Sequence, residues 1–172
     1  DWFAFLEVLK QQRPKKPLNG VIVTMPLDQL ADRPDAQIDK LAGGIRERVQ
    51  ELVTRLGVVF PVYVVFTKAD LLAGFAEFFS ELSPTERAQP WGATIGTSRA
   101  TDQAAEELFD EEMTPLVAAL SDRRMQRLAG VPDAFQRART FAFSVQLERV
   151  RPSMRRFVQN VFAPDPTQTD AP

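Results

Sequence analysis

The sequence predicts an α/β fold in which a mainly parallel sheet is flanked by helices. Two short apolar segments, residues 18–25 and 60–66, have the β-branched and aromatic content of strands. Between them, apolar side chains recur at steps of three and four over residues 35–56, and Gly57 follows in the position that ends a helix. A strand, a helix and a strand form a βαβ unit, which predicts parallel pairing. Because residues 60–66 carry no charge, we expect both faces of the sheet to be covered.

Composition narrows the classes of function. The 172-residue chain carries a net charge of −2 and contains neither cysteine nor histidine. This excludes disulfides, thiolate metal sites and histidine-based catalysis, and the charge does not indicate nucleic-acid binding. No apolar run reaches the roughly 18–20 residues of a membrane span, and no signal peptide is visible. Since the chain begins with Asp1 in what reads as mid-domain sequence, we expect it to be a piece of a larger protein.

A helix and a basic loop are predicted before the first strand. Within residues 2–10, one helical face is predicted to pack against the core, and it carries Trp2, Phe5, Leu6 and Leu9. Residues 13–17, Arg-Pro-Lys-Lys-Pro, break this helix. The loop is either simply solvated or a contact for phosphate or an acidic partner.

The second half of the chain is predicted to be mostly helical. Residues 101–129 read as a long helix with an acidic first half and a basic second half. The acidic half is interpreted as a solvated face, with a divalent-metal site as the alternative. Alternation at residues 141–145 predicts a third strand. A closing helix follows over residues 150–162.

A polar tetrapeptide follows the second strand, at the edge where ligands bind in open α/β sheets. Residues 67–70, Thr-Lys-Ala-Asp, resemble the Asn-Lys-x-Asp base-recognition motif of GTPase-like P-loop proteins. By that resemblance, Asp70 accepts two hydrogen bonds from guanine, the stem of Lys68 lies along the base, and Thr67 joins neighbouring loops. Thr67 departs from the pattern, because a hydroxyl lacks the paired donor and acceptor of an amide, and this puts base specificity in doubt. The alternative is that Asp70 caps the following helix and Lys68 is solvated.

The parts needed for hydrolysis are missing from the sequence. Neither Gly-x-x-x-x-Gly-Lys-Ser/Thr nor Asp-x-x-Gly occurs in the 172 residues. Without the glycine loop there is no cradle of backbone N–H groups for phosphates. We therefore expect this chain by itself to hydrolyse no nucleotide, and we assign it no catalytic and no metal-binding residue.

Several blocks of the sequence resemble the cytoplasmic region of the IcmF/TssM family. The blocks are residues 2–10, 13–14, 17–24, 61–75, 78–79 and 86–92. The resemblance is close over residues 1–92 and looser as far as Phe162. Proteins of this family are large inner-membrane components of bacterial type VI secretion systems, with relatives in type IVB systems.

The resemblance implies a partial P-loop NTPase-like (GTPase-like) fold with a helical extension. The P-loop and the switch aspartate would precede this stretch, so GTP or ATP with magnesium would bind only in the complete domain. The predicted divisions are residues 1–82 for the C-terminal part of the NTPase-like core, 83–140 for a helical subdomain, 141–162 for the final strand and helix of the core, and 163–172 for a disordered tail or linker.

The resemblance also implies a location and partners. The parent protein would be anchored in the inner membrane, with this region on the cytoplasmic face, in contact with a TssL-like membrane protein and a TssK-like baseplate protein. Two functions remain: an assembly scaffold, which we favour for this chain, or a nucleotide-binding switch that drives or regulates secretion. Because a sheet without its first half exposes apolar edges, we expect the chain alone to be poorly soluble.

Overall fold

The computed structural model describes residues 1–89 and 91–164. Its elements are α1 (Trp2–Gln12), β1 (Val21–Pro26), α2 (Leu27–Leu30), α3 (Asp35–Leu56), β2 (Val62–Thr67), a 3₁₀ turn (Ala69–Leu71), α4 (Phe75–Phe78), α5 (Pro84–Arg87), α6 (Thr97–Asp102), α7 (Ala105–Gly130) and α8 (Ala134–Val161). The predicted tail at 163–172 lies outside the described residues from residue 165 onward.

The predicted βαβ unit is confirmed. β1 and β2 pair in parallel, with Val21 opposite Val62 and Pro26 opposite Thr67, and they form a two-stranded sheet in the described part of the chain. α3 connects the two strands and ends at Gly57, whose φ of 66° is the left-handed conformation that commonly ends helices. The chain is therefore a mixed α/β protein with a small parallel sheet.

The core lies between one face of this sheet and the helices α3, α4 and α8. Phe143 of α8 is fully buried. Its ring centroid lies 5.1–5.4 Å from those of Phe75, Phe78 and Phe79. Phe157, fourteen residues further along the same face of α8, meets Phe66 of β2 edge to face at 6.1 Å. α8 therefore ties α4 to the sheet through aromatic contacts.

Gly74 allows α4 to lie against α8. It precedes α4 with a φ of 86°. A Cβ at this position would overlap the carbonyl oxygen of Arg139. Glycine is needed here both for the backbone conformation and for the close approach of the two helices.

The third strand predicted at residues 141–145 is wrong, because the segment lies inside α8. The alternation was misleading: Phe143 is buried, whereas Phe141 and Val145 stay exposed on the outer side of the helix. The buried positions continue at steps of three and four and are Phe143, Leu147, Val150, Met154, Phe157 and Val161. That longer pattern is helical. The closing helix predicted over residues 150–162 is the second half of α8, so Pro152, which the sequence places in the first turn of a helix, lies inside one.

The expectation that both faces of the sheet are covered is wrong for this chain. The described helices leave the outer face open, so that Ile22 is 67% exposed and Tyr63 54% exposed, with Val65 beside them. An uncharged strand is typical of a parallel sheet with two covered faces. The outer face is therefore an apolar surface suited to another layer, and poor solubility of the chain alone stays a prediction.

The predicted core-facing side of α1 is confirmed for its leucines and wrong for its aromatic residues. Leu6 is the buried residue of this helix, and with the partly buried Leu9 it packs against Leu52 and Leu56 of α3. Trp2 and Phe5, which spacing alone places on the same face, are exposed.

The long helix predicted at residues 101–129 is two helices. α6 ends at Asp102, and Gln103 is extended before α7 begins at Ala105. α7 then packs along α8, which begins only a short turn later. None of the helices in the described ranges has the length and apolarity to cross a membrane. The division of the chain into core and helical subdomain stays a prediction.

Candidate functional site

The sequence-predicted motif lies where the carboxyl ends of the two strands meet. Thr67 is the last residue of β2 and pairs with Pro26, the last residue of β1. β1 then runs directly into α2, which carries Asp28. The structure therefore brings the loop after β2 beside the first turn of α2.

Lys68 has an unusual backbone conformation. Its φ of 58° and ψ of 34° are left-handed, and it is the one residue with a side chain in that region among those described. The next residues form a 3₁₀ turn in which the Leu71 N–H donates to the Lys68 carbonyl at 3.1 Å. Left-handed non-glycine residues are strained and occur preferentially at functional sites. The loop is therefore held in a shape that local preference does not favour.

The Lys68 ammonium is directed across the strand ends. Its Nζ lies 3.5 Å from Oδ2 of Asp28, and both side chains are partly exposed. An ion pair of this length and exposure contributes little to stability. It does place the Lys68 ammonium beside α2, at the end of β1.

Asp70 does not act as a helix cap. The residue before the 3₁₀ turn is Lys68 and the residue before α4 is Gly74, and neither end is capped by a side chain. Asp70 lies exposed inside the turn, and its carboxylate accepts no hydrogen bond from the residues that the structure describes. The helix-cap alternative is therefore wrong, and the carboxylate is available to a ligand.

An apolar groove of about 440 Å³ is lined by residues 62–66 of β2 and by Ala69 of the loop that follows. Residues 91–95 and Phe109 of α7 also line it. A groove of this size suits a flat apolar ring or an extended peptide. Sequence reasoning missed these lining residues. The one local signal is Trp91 beside Gly92, a tryptophan that the sequence marks either as an exposed anchor or as half-buried packing.

Comparison with known proteins gives the family. The model of the IcmF-related N-terminal domain matches residues 1–172. The chain belongs to the IcmF-related N-terminal domain family. It is 37% identical over 166 residues to the "Type VI secretion system component TssM1" of Pseudomonas aeruginosa, strain PAO1. That alignment covers 96% of this chain and 15% of the relative, so the chain spans about one-seventh of its length. No solved structure matches the chain.

In this member of the IcmF-related family, the helices behind the site are joined by an arginine-centred ion network. Arg156 of α8 binds both oxygens of Asp39 in α3 at 2.6 Å and reaches Asp35 at 3.0 Å. Asn160 also donates to Asp39, at 2.9 Å. The pKa of Asp39 lies below its ordinary value, mainly because Arg156 donates hydrogen bonds to the carboxylate. The positive charge of Arg156 and the hydrogen bond from Asn160 lower it further. α3 and α8 are thereby held together through residues more than a hundred positions apart.

The acidic half of α7 is engaged in similar pairs. Asp110 accepts hydrogen bonds from Arg155 at 2.7 Å and Arg151 at 3.2 Å. Burial by itself raises the pKa of Asp110, but these two arginines lower it overall. Arg99 of α6 binds Glu111 and Glu112 at 2.8 and 2.6 Å. Within residues 1–89 and 91–164, no group of three carboxylates is arranged to hold a metal ion.

Proposed function

We propose that this chain is part of an assembly scaffold in the membrane complex of a bacterial type VI secretion system. The 37% identity to TssM1, over nearly the whole chain, carries this proposal. The scaffold would lie on the cytoplasmic face of the inner membrane, within a membrane-anchored parent protein. Its partners would be TssL-like membrane proteins and TssK-like baseplate proteins.

The helical layer has the properties of a scaffold. α7 and α8 have 26 and 28 residues and are joined to each other by the Asp110 pairs, and α8 is joined to α3 by the Asp39 pairs. On either side of the turn between α7 and α8, Met125 near the end of α7 is exposed and Phe135 at the start of α8 is 72% exposed. Aromatic residues and methionine are enriched at protein interfaces. We therefore place the partner contact at this turn.

Copurification of the full-length protein with its TssL-like and TssK-like partners tests the scaffold. Met125→Ser with Phe135→Ser is expected to lower recovery of one partner at least tenfold, because a central apolar anchor commonly contributes 2 kcal/mol or more, by the order of magnitude for interface hot spots. Leu71→Ser is the matched control, since Leu71 is an exposed apolar residue away from this turn. Association of the folded wild type with neither partner would contradict the scaffold itself.

A second function, a nucleotide-responsive switch, is favoured by the loop at residues 67–70. The left-handed Lys68 and the available Asp70 carboxylate are what a base-recognition loop needs, and Ala69 between them lines the apolar groove. Guanine would donate its ring N–H and exocyclic amine to Asp70, as the resemblance implies. The phosphates would be held by residues outside this chain.

Calorimetry with GTP, GDP and ATP plus magnesium distinguishes the two functions. The protein used is the parent polypeptide including the segment before residue 1. Guanine-selective binding that is lost in Asp70→Ala and kept in Asp122→Ala, an exposed aspartate on α7, supports the switch. If the folded protein binds no nucleotide, the scaffold is the one function that remains of the two. Binding that ignores Asp70 discards the loop as the base-binding site.

A further inference from the structure

α1 carries an apolar surface that the rest of the described chain does not cover. Phe5 is 53% exposed, and Trp2, Phe3 and Val8 are also exposed. The helix is held by Leu6, which packs on Leu52 and Leu56 of α3. Leu6 points at α3. Phe5, one residue before it, and Val8, two residues after it, are turned from it by about 100° and 160° around the helix, so both project away from the core.

The aromatic rings on this helix are fixed rather than loose. The Trp2 indole N–H donates to Glu51 at 2.9 Å, and its ring stacks on Phe5 at 6.0 Å. Val59, in the loop between α3 and β2, is 96% exposed. Its neighbours Val58 and Phe60 pack in the same small cluster as Leu6. We call Trp2, Phe5, Val8 and Val59 the amino-end patch.

Positive charge is concentrated beside the amino-end patch. Residues 1–19 contain four basic and two acidic side chains, although the whole chain has a net charge of −2. Arg13, Lys15 and Lys16 directly follow α1 and are exposed. In the described ranges, none of the three forms a salt bridge.

We propose that the amino-end patch and the basic segment 13–16 bind the surface of an anionic lipid bilayer. Tryptophan and phenylalanine partition into the boundary between headgroups and acyl chains, and nearby lysine and arginine are attracted to anionic headgroups. A fluid bilayer accepts separate exposed rings without a shaped groove and selects for the sign of charge. In this arrangement α1 lies flat on the bilayer, with Leu6 and Leu9 still packed against α3.

Vesicle flotation and tryptophan fluorescence test the proposal, because aggregated protein pellets in a density gradient whereas vesicle-bound protein floats. The chain has two tryptophans, so Trp91→Phe leaves Trp2 as the reporter. With vesicles of phosphatidylglycerol and phosphatidylcholine we expect flotation and a blue shift of Trp2 emission. Pure phosphatidylcholine vesicles should bind at least tenfold less, and high salt should release the protein. Equal binding to both vesicle types, or no binding by the folded chain, overturns the proposal.

Two variants separate the apolar and the charged contributions. Phe5→Ser with Val8→Ser should abolish the blue shift. Lys15→Gln with Lys16→Gln should weaken binding about 30-fold, as expected from roughly 1 kcal/mol per cation near an anionic surface. Phe141→Ser is the control, because Phe141 is exposed on α8 and outside the patch. Circular dichroism checks that each variant is folded. Equal loss in Phe141→Ser, or full binding by both α1 and lysine variants, contradicts the assignment.

Discussion

The helical layer and the loop at residues 67–72 are built in opposite ways. The layer of α3, α7 and α8 combines buried phenylalanines with arginines that each reach one or two carboxylates. The loop has a strained Lys68, one long ion pair to Asp28 and an exposed Asp70. Stability therefore resides in the layer, while the loop keeps polar groups available. The following predictions test this contrast, starting with the largest effect.

Phe143→Ala is expected to destabilise the chain by about 3–5 kcal/mol, because it removes a fully buried ring from a cluster of three others. Urea denaturation measures the change. Phe135→Ala, an exposed phenylalanine on the same helix, should stay within about 0.5 kcal/mol of the wild type. Similar losses in both variants would mean that the layer is not the stable part.

Lys68→Gly is expected to be about 1 kcal/mol more stable than Lys68→Ala, because glycine adopts the left-handed conformation without the Cβ penalty. Both variants lack the ammonium group, so their difference isolates the backbone strain. The comparison is made by thermal melting in one buffer. A less stable glycine variant would show that the loop stores no strain.

Asp39→Asn should change how stability depends on pH. Because Arg156 lowers the folded-state pKa of Asp39 below 3.8, its contribution is complete above about pH 5 and is lost as the pH falls through the folded value. The wild type should therefore lose more of its urea midpoint between pH 5 and pH 3 than the variant. If the urea midpoints of the wild type and the variant fall in parallel as the pH is lowered, the Asp39–Arg156 pair contributes nothing to the stability of the helical layer.

Asp28→Asn is expected to change stability by less than about 0.5 kcal/mol, since its partner Lys68 lies 3.5 Å away and both are partly exposed. Thermal melting at low and high salt measures it. Exposed ion pairs typically contribute no more than about 1 kcal/mol. A larger, salt-sensitive loss would show that the loop contributes to the stability of the fold.

Local signals predicted the parts of the fold that depend on neighbouring residues. The spacing of α3, its end at Gly57 and the position of Thr67 at the end of a strand were all readable from the sequence. The Ser-Pro-Thr-Glu run at residues 83–86 predicts a capping box, because Ser and Glu stand three residues apart before a helix. The box is formed, with the Ser83 N–H donating to Glu86 at 2.8 Å. Each of these features is decided within a few residues.

The misassigned segment at residues 141–145 shows where local reasoning fails. Alternating apolar residues are compatible with a strand. They are equally compatible with a helix that carries apolar residues on both its buried and its exposed side. Only the packing of Phe143 against Phe75, Phe78 and Phe79 distinguishes the two. The candidate site was predictable only in part. The tetrapeptide at 67–70 is contiguous and could be found in the sequence, but Asp28, which pairs with Lys68, and the groove residues 91–95 lie elsewhere in the chain.

The sequence by itself determined the βαβ unit, its family and the place of the Thr-Lys-Ala-Asp loop, because periodicity, helix ends and motifs are written in consecutive residues. The tertiary structure decided three other features. These are the left-handed Lys68, the open outer face of the sheet and the pairing of Arg156 with Asp39. All three depend on which elements meet in space, and neither spacing nor composition encodes contacts between residues 117 positions apart.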